Sequence, residues 1–144
     1  FDAKDDHAGG TLGPLLPYAR ETVLDGIDAI TPAPQGDVTL EQVKEALGDD
    51  LYLLDGIPAI AFDADCPEET LVACAEQVIA LFAPKLVLGI SDELSSTGDI
   101  ERILRVAAIV DQQQRLERLL GRKTALHELD GLLTAFLMIS LLFS

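Results

Sequence analysis

Short apolar runs alternate with amphipathic stretches along the chain, a pattern typical of a parallel α/β protein. The apolar runs occupy residues 27–31, 51–54 and 85–90 and have little internal polar alternation. Strands of this kind are typical of a parallel sheet that is covered on both faces. The pattern therefore predicts the element order α-β-α-β-α-β-α, in either half of a (β/α)8 barrel or a small doubly wound sheet.

The stretches between the apolar runs carry helix signals. Apolar residues at helical spacing predict a first helix over residues 12–24, although Pro17 within it indicates a kink or a later start. The later helices are expected to begin at Thr39 with Gln42 in a capping box, at Pro67 followed by two glutamates, and at Asp99.

The composition narrows the class of protein. A chain of 144 residues with 49% hydrophobic content has the size of one domain and enough apolar surface to bury a core. Its 25 acidic and 10 basic residues give a net charge of −15, which argues against nucleic acid or an anionic membrane as partner. Two cysteines are too few for a disulfide framework, and the sequence shows no signal peptide, so a cytoplasmic location is expected.

The C-terminal end differs in character from the rest. Residues 131–144 are uncharged and apolar, but this run is shorter than the roughly 20 residues that cross a bilayer. A membrane span is therefore not expected. The run is interpreted first as a helix that covers the bottom of the fold. The alternatives are an extension that is not native to the protein and, least favoured, a short surface anchor.

Polar residues follow the predicted strands, where ligands bind in both architectures. These are Thr31 after the first strand, Asp55 with Gly56 after the second, and Ser91 with Asp92 after the third. Such residues are also common in any βα loop, and Asp55 could equally belong to a solvated acidic turn with Asp49 and Asp50. His7, which precedes two glycines, could serve as an acid–base group or a metal ligand, or could simply be a surface histidine.

The order of these features resembles the C-terminal half of the uroporphyrinogen decarboxylase superfamily. Its members are (β/α)8 barrels and include decarboxylases and cobamide-dependent methyltransferases. The resemblance is carried by the stretches HAGGTLGPLLPYARETVLDGIDAITP, GDVTLEQVKEALGD, LLDGIPA and LVLGISDELSSTGDIERI, in the family's order. It covers residues 1–111 and implies half of a TIM barrel, with residues 112–144 as a divergent helical tail.

The resemblance also implies a set of site residues at the mouth of the barrel. His7 would lie at a strand end, as an acid–base group or a metal ligand. The catalytic candidates are His7 and Asp92, and the substrate-binding candidates are Thr31, Asp55, Gly56 and Ser91.

Two departures from the family's motifs limit what carries over. The zinc-bearing methyltransferases hold their metal with two thiolates, but this chain has Gly9 and the stretch 89–92 in those places, so a zinc–thiolate site is not expected. The Gly-His-Gly motif of true uroporphyrinogen decarboxylases is replaced by Leu88-Gly89-Ile90. A different metal ion or a corrinoid partner stays open as cofactor.

Two functions from different classes follow. The first is a fragment of a decarboxylase or methyltransferase-like enzyme that binds a small molecule at the strand mouths. The isolated fragment is expected to be inactive and to self-associate through open barrel edges or the apolar tail. The alternative is a non-enzymatic α/β module that binds a protein partner through its apolar C-terminal helix.

Overall fold

A computed structural model of the chain describes residues 11–120. Three parallel strands form one sheet in the order β1-β2-β3. The strands are β1 Gly26–Ile27, β2 Tyr52–Ile57 and β3 Leu86–Ile90, and the helices are α1 Leu40–Leu47, α2 Glu68–Phe82 and α3 Ile100–Leu119. Short 3-10 helices span Leu16–Glu21 and Ala59–Phe62. The predicted alternation of parallel strands with helices is confirmed.

The sequential strand order determines where the helices lie. Right-handed crossovers place successive helices on the same face of the sheet when the strand order follows the chain. Accordingly α1 and α2 pack against each other and against β2, and α3 packs on α2. Leu53, Leu86 and Leu88 on the helix side of the strands are fully buried. The described part of the sheet is therefore singly wound.

The opposite face of the sheet is less covered. Tyr52, Leu54 and Val87 alternate with the buried strand residues and are only half-buried. Within residues 11–120 no helix packs on this face, so the helix cover on both sides that a doubly wound sheet needs is not found there. We refer to this side as the open face.

The first two elements are shorter than the sequence predicts. The expected helix over residues 12–24 is reduced to the 3-10 helix Leu16–Glu21. Pro17 lies near the start of this helix, in agreement with the later start that the proline indicates. The strand expected over 27–31 is only Gly26–Ile27. The expected extension to residue 31 is wrong: the strand ends at Ile27, and Ala29, with a φ of 55°, departs from the extended conformation. Thr31 therefore lies in a buried loop beyond the strand.

The local helix signals are confirmed. Thr39 Oγ1 accepts a hydrogen bond from the Gln42 amide at 3.2 Å, and Gln42 Oε1 accepts one from the Thr39 amide at 2.8 Å. This is the predicted capping box, and it satisfies two backbone donors at the start of α1. The Asp99 carboxylate accepts from the Glu101 amide at 2.9 Å and caps α3.

Loss of the capping box is expected to destabilise the chain. Thr39→Ala removes the acceptor for the Gln42 amide, and we expect the free energy of unfolding to fall by about 1 kcal/mol. Urea unfolding followed by circular dichroism measures this. Thr70→Ala, at an exposed position in the first turn of α2, makes the same chemical change away from any cap and should shift stability by less than about 0.5 kcal/mol. Equal losses in both variants would contradict a capping role.

Among the residues from 11 to 120, no helix is long and apolar enough to cross a membrane.

Candidate functional site

A break in the side-chain alternation of β2 creates the site. Asp55 and Gly56 have φ values of 76° and 99°, so two consecutive residues leave the extended conformation. A Cβ on Gly56 would lie 3.1 Å from Val78 of α2, which places Gly56 on the helix side. A Cβ on Gly89 of β3 would lie 2.5 Å from Asp55 Oδ1. The Asp55 side chain is therefore turned away from the helices and lies over Gly89.

The Asp55 carboxyl is buried and incompletely paired. Its residue is only 5% exposed, and within the described part of the chain nothing donates a hydrogen bond to Oδ1. Burial, followed by a hydrogen bond with Asp28 and the charge of Asp28, raises the pKa of Asp55 to about 8. A bond from the Ala29 amide acts in the opposite direction. At neutral pH Asp55 is therefore mostly a neutral carboxylic acid.

Hydroxyl groups from the two neighbouring loops lie beside the Asp55-Gly56 segment. Ser91 Oγ, directly after β3, accepts a hydrogen bond from the Gly56 amide at 3.2 Å. The Thr31 hydroxyl, from the loop after β1, donates to the Ser91 carbonyl at 3.5 Å. Thr31, Asp55 and Ser91 are all buried. The structure thus brings together the four residues predicted to bind substrate, at the carboxyl ends of the strands, while their role stays a prediction.

The two catalytic candidates have different outcomes. Asp92 follows Ser91 but is half-buried, and its Oδ1 accepts a hydrogen bond from the Glu93 amide at 2.8 Å. Its catalytic role stays a prediction. His7, with its proposed metal-ligand role, lies outside the described residues.

One expectation about acidic residues needs correction. The alternative in which Asp55 joins a solvated turn with Asp49 and Asp50 is wrong, because β2 continues through Ile57 and buries Asp55 within it. Asp49 instead pairs with Lys44 at 2.8 Å.

Sequence reasoning missed Asp28, which is the acidic neighbour of Asp55. The signal was present, because Asp28 is the polar residue directly after the observed end of β1. The predicted strand extended past it to residue 31, so the strand-end rule selected Thr31 instead.

The close approach of Asp55 to Gly89 makes Gly89→Ala a sensitive variant. The added methyl group would overlap Asp55 Oδ1, and we expect a loss of about 1–3 kcal/mol in the free energy of unfolding. In an Asp55→Ala background the overlap disappears, so the same substitution should have a much smaller effect. Urea unfolding of the four proteins in this double-mutant cycle measures the coupling. Additive effects would contradict the contact.

Two positions of the zinc–thiolate motif, His7 and Gly9, lie outside the described residues. Within residues 11–120, no three His, Cys, Asp or Glu side chains are grouped so that they could hold a metal ion. Cys66 and Cys74 line a groove between α1 and α2 instead, and burial raises the pKa of the Cys74 thiol to about 11.

Comparison with known proteins gives no relative for this site. No family model, curated protein or solved structure matches the chain.

Proposed function

We propose that the chain is the C-terminal half of a (β/α)8 enzyme resembling the uroporphyrinogen decarboxylase superfamily, which binds a small molecule at the carboxyl ends of its strands. The observation that carries this proposal is the buried Asp55 carboxyl, whose Oδ1 has no hydrogen-bond donor within residues 11–120. An unpaired buried carboxyl is unfavourable for stability, and such groups are typical of functional sites.

The architecture around Asp55 supports a barrel-type site. In a (β/α)8 barrel the helices lie outside, the strands follow one another in chain order, and ligands bind at the carboxyl ends of the strands. The sheet has the order β1-β2-β3 with its helices on one face. Asp55 is turned toward the other face, beside Gly89 and near the strand ends. In a closed barrel this open face would line the interior.

The protonation state of Asp55 favours proton donation. When a substrate loses CO2, the electron pair of the broken bond stays on carbon, and that carbon must take up a proton. The Asp55 O–H supplies it, a C–H bond forms, and Asp55 is left as a carboxylate that regains its proton from solvent beside the exposed Asp28. A pKa near 8 suits a general acid at neutral pH. Between the two reactions of the superfamily, this residue favours decarboxylation over methyl transfer.

A second candidate function is the partner-binding module. The apolar C-terminal run over residues 131–144, which was expected to bind the partner, lies outside the described residues, and the support comes from the helix ahead of it. Helix α3 carries large apolar side chains in contact with solvent, with Leu104 62% and Leu119 84% exposed. Exposed leucines of this kind fit a helix that docks on another protein.

Ligand mapping by 1H–15N NMR on the full chain separates the two functions. We expect small molecules from a panel of amines, amides and carboxylates to shift the amide signals of Thr31, Gly56 and Ser91. We also expect Asp55→Ala to abolish these shifts, whereas Asp92→Ala keeps at least those of Thr31 and Gly56. Ligands that shift only the signals of α3, or none at all, would contradict a small-molecule site at the strand ends.

The family assignment has a separate test. We expect the coding sequence ahead of residue 1 to contain four further βα units with the same strand and helix periodicity. A start codon directly before residue 1 would contradict the half-barrel.

A further inference from the structure

We propose that the pair of carboxyl groups at Asp28 and Asp55 selects ligands that carry a small organic cation, a protonated amine or an amidinium group. This inference rests on the proposed function and specifies the substrate class of the same site.

The first support is the balance of charge. Two carboxyl groups meet here, and the groups within residues 11–120 that act on Asp55 are Asp28 and the Ala29 amide. The described basic side chains are engaged elsewhere. Their partners are the Glu45 and Ala46 carbonyls for Arg20, Asp49 for Lys44, the Tyr52 ring for Lys85, carbonyls of the β2–α2 loop for Arg102, Glu68 for Arg105, Asp111 for Arg115 and Gln114 for Arg118.

The second support is a missing hydrogen-bond donor at the Asp55 carboxyl. Asp55 Oδ1 accepts no hydrogen bond within the described residues although the side chain is buried. An ammonium group brings three N–H donors, and an amidinium brings a planar pair that matches a carboxylate. An anionic group would instead meet the like charge of Asp28. The site therefore lacks what an organic cation supplies.

The groups that face Asp55 couple cation binding to its proton. The segment after β1 contributes Asp28 and β3 contributes Gly89, whereas Val78 of α2 and Ser91 after β3 lie against the neighbouring Gly56. Of these neighbours, only Asp28 carries an acidic or basic side chain. A cation between the carboxyl groups favours the ionised form of Asp55 and lowers its pKa toward neutrality. Binding of the cation and protonation of Asp55 are therefore linked, and the affinity for the cation depends on pH.

The test uses methylammonium chloride as the probe, with the full chain labelled with 13C at the aspartate carboxyl carbons. Acetamide and sodium acetate serve as neutral and anionic counterparts of similar size, and potassium chloride keeps the ionic strength constant.

We expect saturable shifts of the Asp55 and Asp28 signals with methylammonium alone. The apparent affinity should rise by up to tenfold per pH unit between pH 6 and 8 and level off above that range. In Asp55→Asn the affinity should fall at least tenfold, whereas it should stay within twofold in Asp50→Asn, an exposed residue at the opposite end of β2.

Two results would overturn the cation proposal. One is an equal response to methylammonium and potassium, and the other is a preference for acetamide or acetate. The same titration without probe reports on the proposed function independently. A midpoint near 4 for Asp55 would remove its proton-donor role, whereas a midpoint near 8 without methylammonium binding would overturn only the cation selectivity.

Discussion

Replacing Asp55 with asparagine is expected to stabilise the chain and to flatten the pH dependence of its stability. The amide would keep the shape of the side chain, carry no charge and donate a hydrogen bond to Asp28. The aspartate, in contrast, is buried, and within residues 11–120 its Oδ1 receives no donor. We expect the free energy of unfolding at pH 8 to rise, because the amide stays neutral and avoids the cost of ionising a buried carboxyl.

The direction of the pH effect follows from the raised pKa of Asp55. In the folded chain the pKa is about 8, against an ordinary value of 3.8, so between these values the folded state holds a proton that the unfolded state has released. The contribution of this group to stability is therefore present below about pH 4 and is lost as the pH rises to 8. One proton gives a slope of at most about 1.4 kcal/mol per pH unit.

Urea unfolding between pH 5 and 9 measures both effects. The free energy of unfolding of the native chain should fall as the pH rises from 5 to about 8. In Asp55→Asn most of this pH dependence should be absent. Asp92→Asn is the matched control, because Asp92 is half-buried and bonded to the Glu93 amide. It should retain the native slope. A native chain whose stability does not change from pH 5 to 8 would contradict the raised pKa.

Arg102→Ala, in helix α3, is expected to lower the free energy of unfolding strongly for a substitution of a single helix residue. From α3 its guanidinium donates to the Ala61 carbonyl at 3.0 Å and to the Cys66 carbonyl at 2.5 Å. A longer bond reaches Ala64 at 3.5 Å. These carbonyls lie in the β2–α2 connection, directly after the strand that carries Asp55. Arg102→Ala leaves them without this donor, and we expect a loss of about 3 kcal/mol.

Arg105 provides a matched control on the same helix. It forms a salt bridge with Glu68 at 2.9 Å, but both side chains are about half exposed. Arg105→Ala should therefore lower the free energy of unfolding by less than about 1 kcal/mol. Arg102→Lys should restore only part of the lost stability, because an ammonium group cannot span several carbonyls as a guanidinium does. Equal effects of the two alanine variants in urea unfolding would contradict the role of Arg102.

The parts of the fold that depend on local signals were predictable from the sequence. The capping box at Thr39 and the cap at Asp99 are set by residues within three positions of each other, and the structure shows both. Helix α2 begins after Pro67 and ends ahead of Pro84, as its apolar periodicity and the two prolines indicate. Parallel pairing of the strands was also predictable, because apolar strands that are separated by helices have few other ways to pair.

The site was less predictable because it depends on backbone conformation and on contacts between distant segments. The sequence Asp55-Gly56 is typical of a turn, yet both residues lie inside β2 with positive φ, supported by pairing with β3. Burial of Asp55 further depends on Gly89, which is 34 residues away and leaves space for the carboxyl group. Asp28 could be identified only once the end of β1 was placed at Ile27.

The titration of Asp55, followed by the 13C signal of its carboxyl carbon, tests the central claim most directly. This claim is that the strand ends hold a neutral carboxylic acid at physiological pH. We expect a midpoint near pH 8 in the native chain. In Asp28→Asn the midpoint should be lower but still well above 4, because burial contributes more to the raised pKa than Asp28 does. A native midpoint near 4, with Asp55 ionised at neutral pH, would contradict the account.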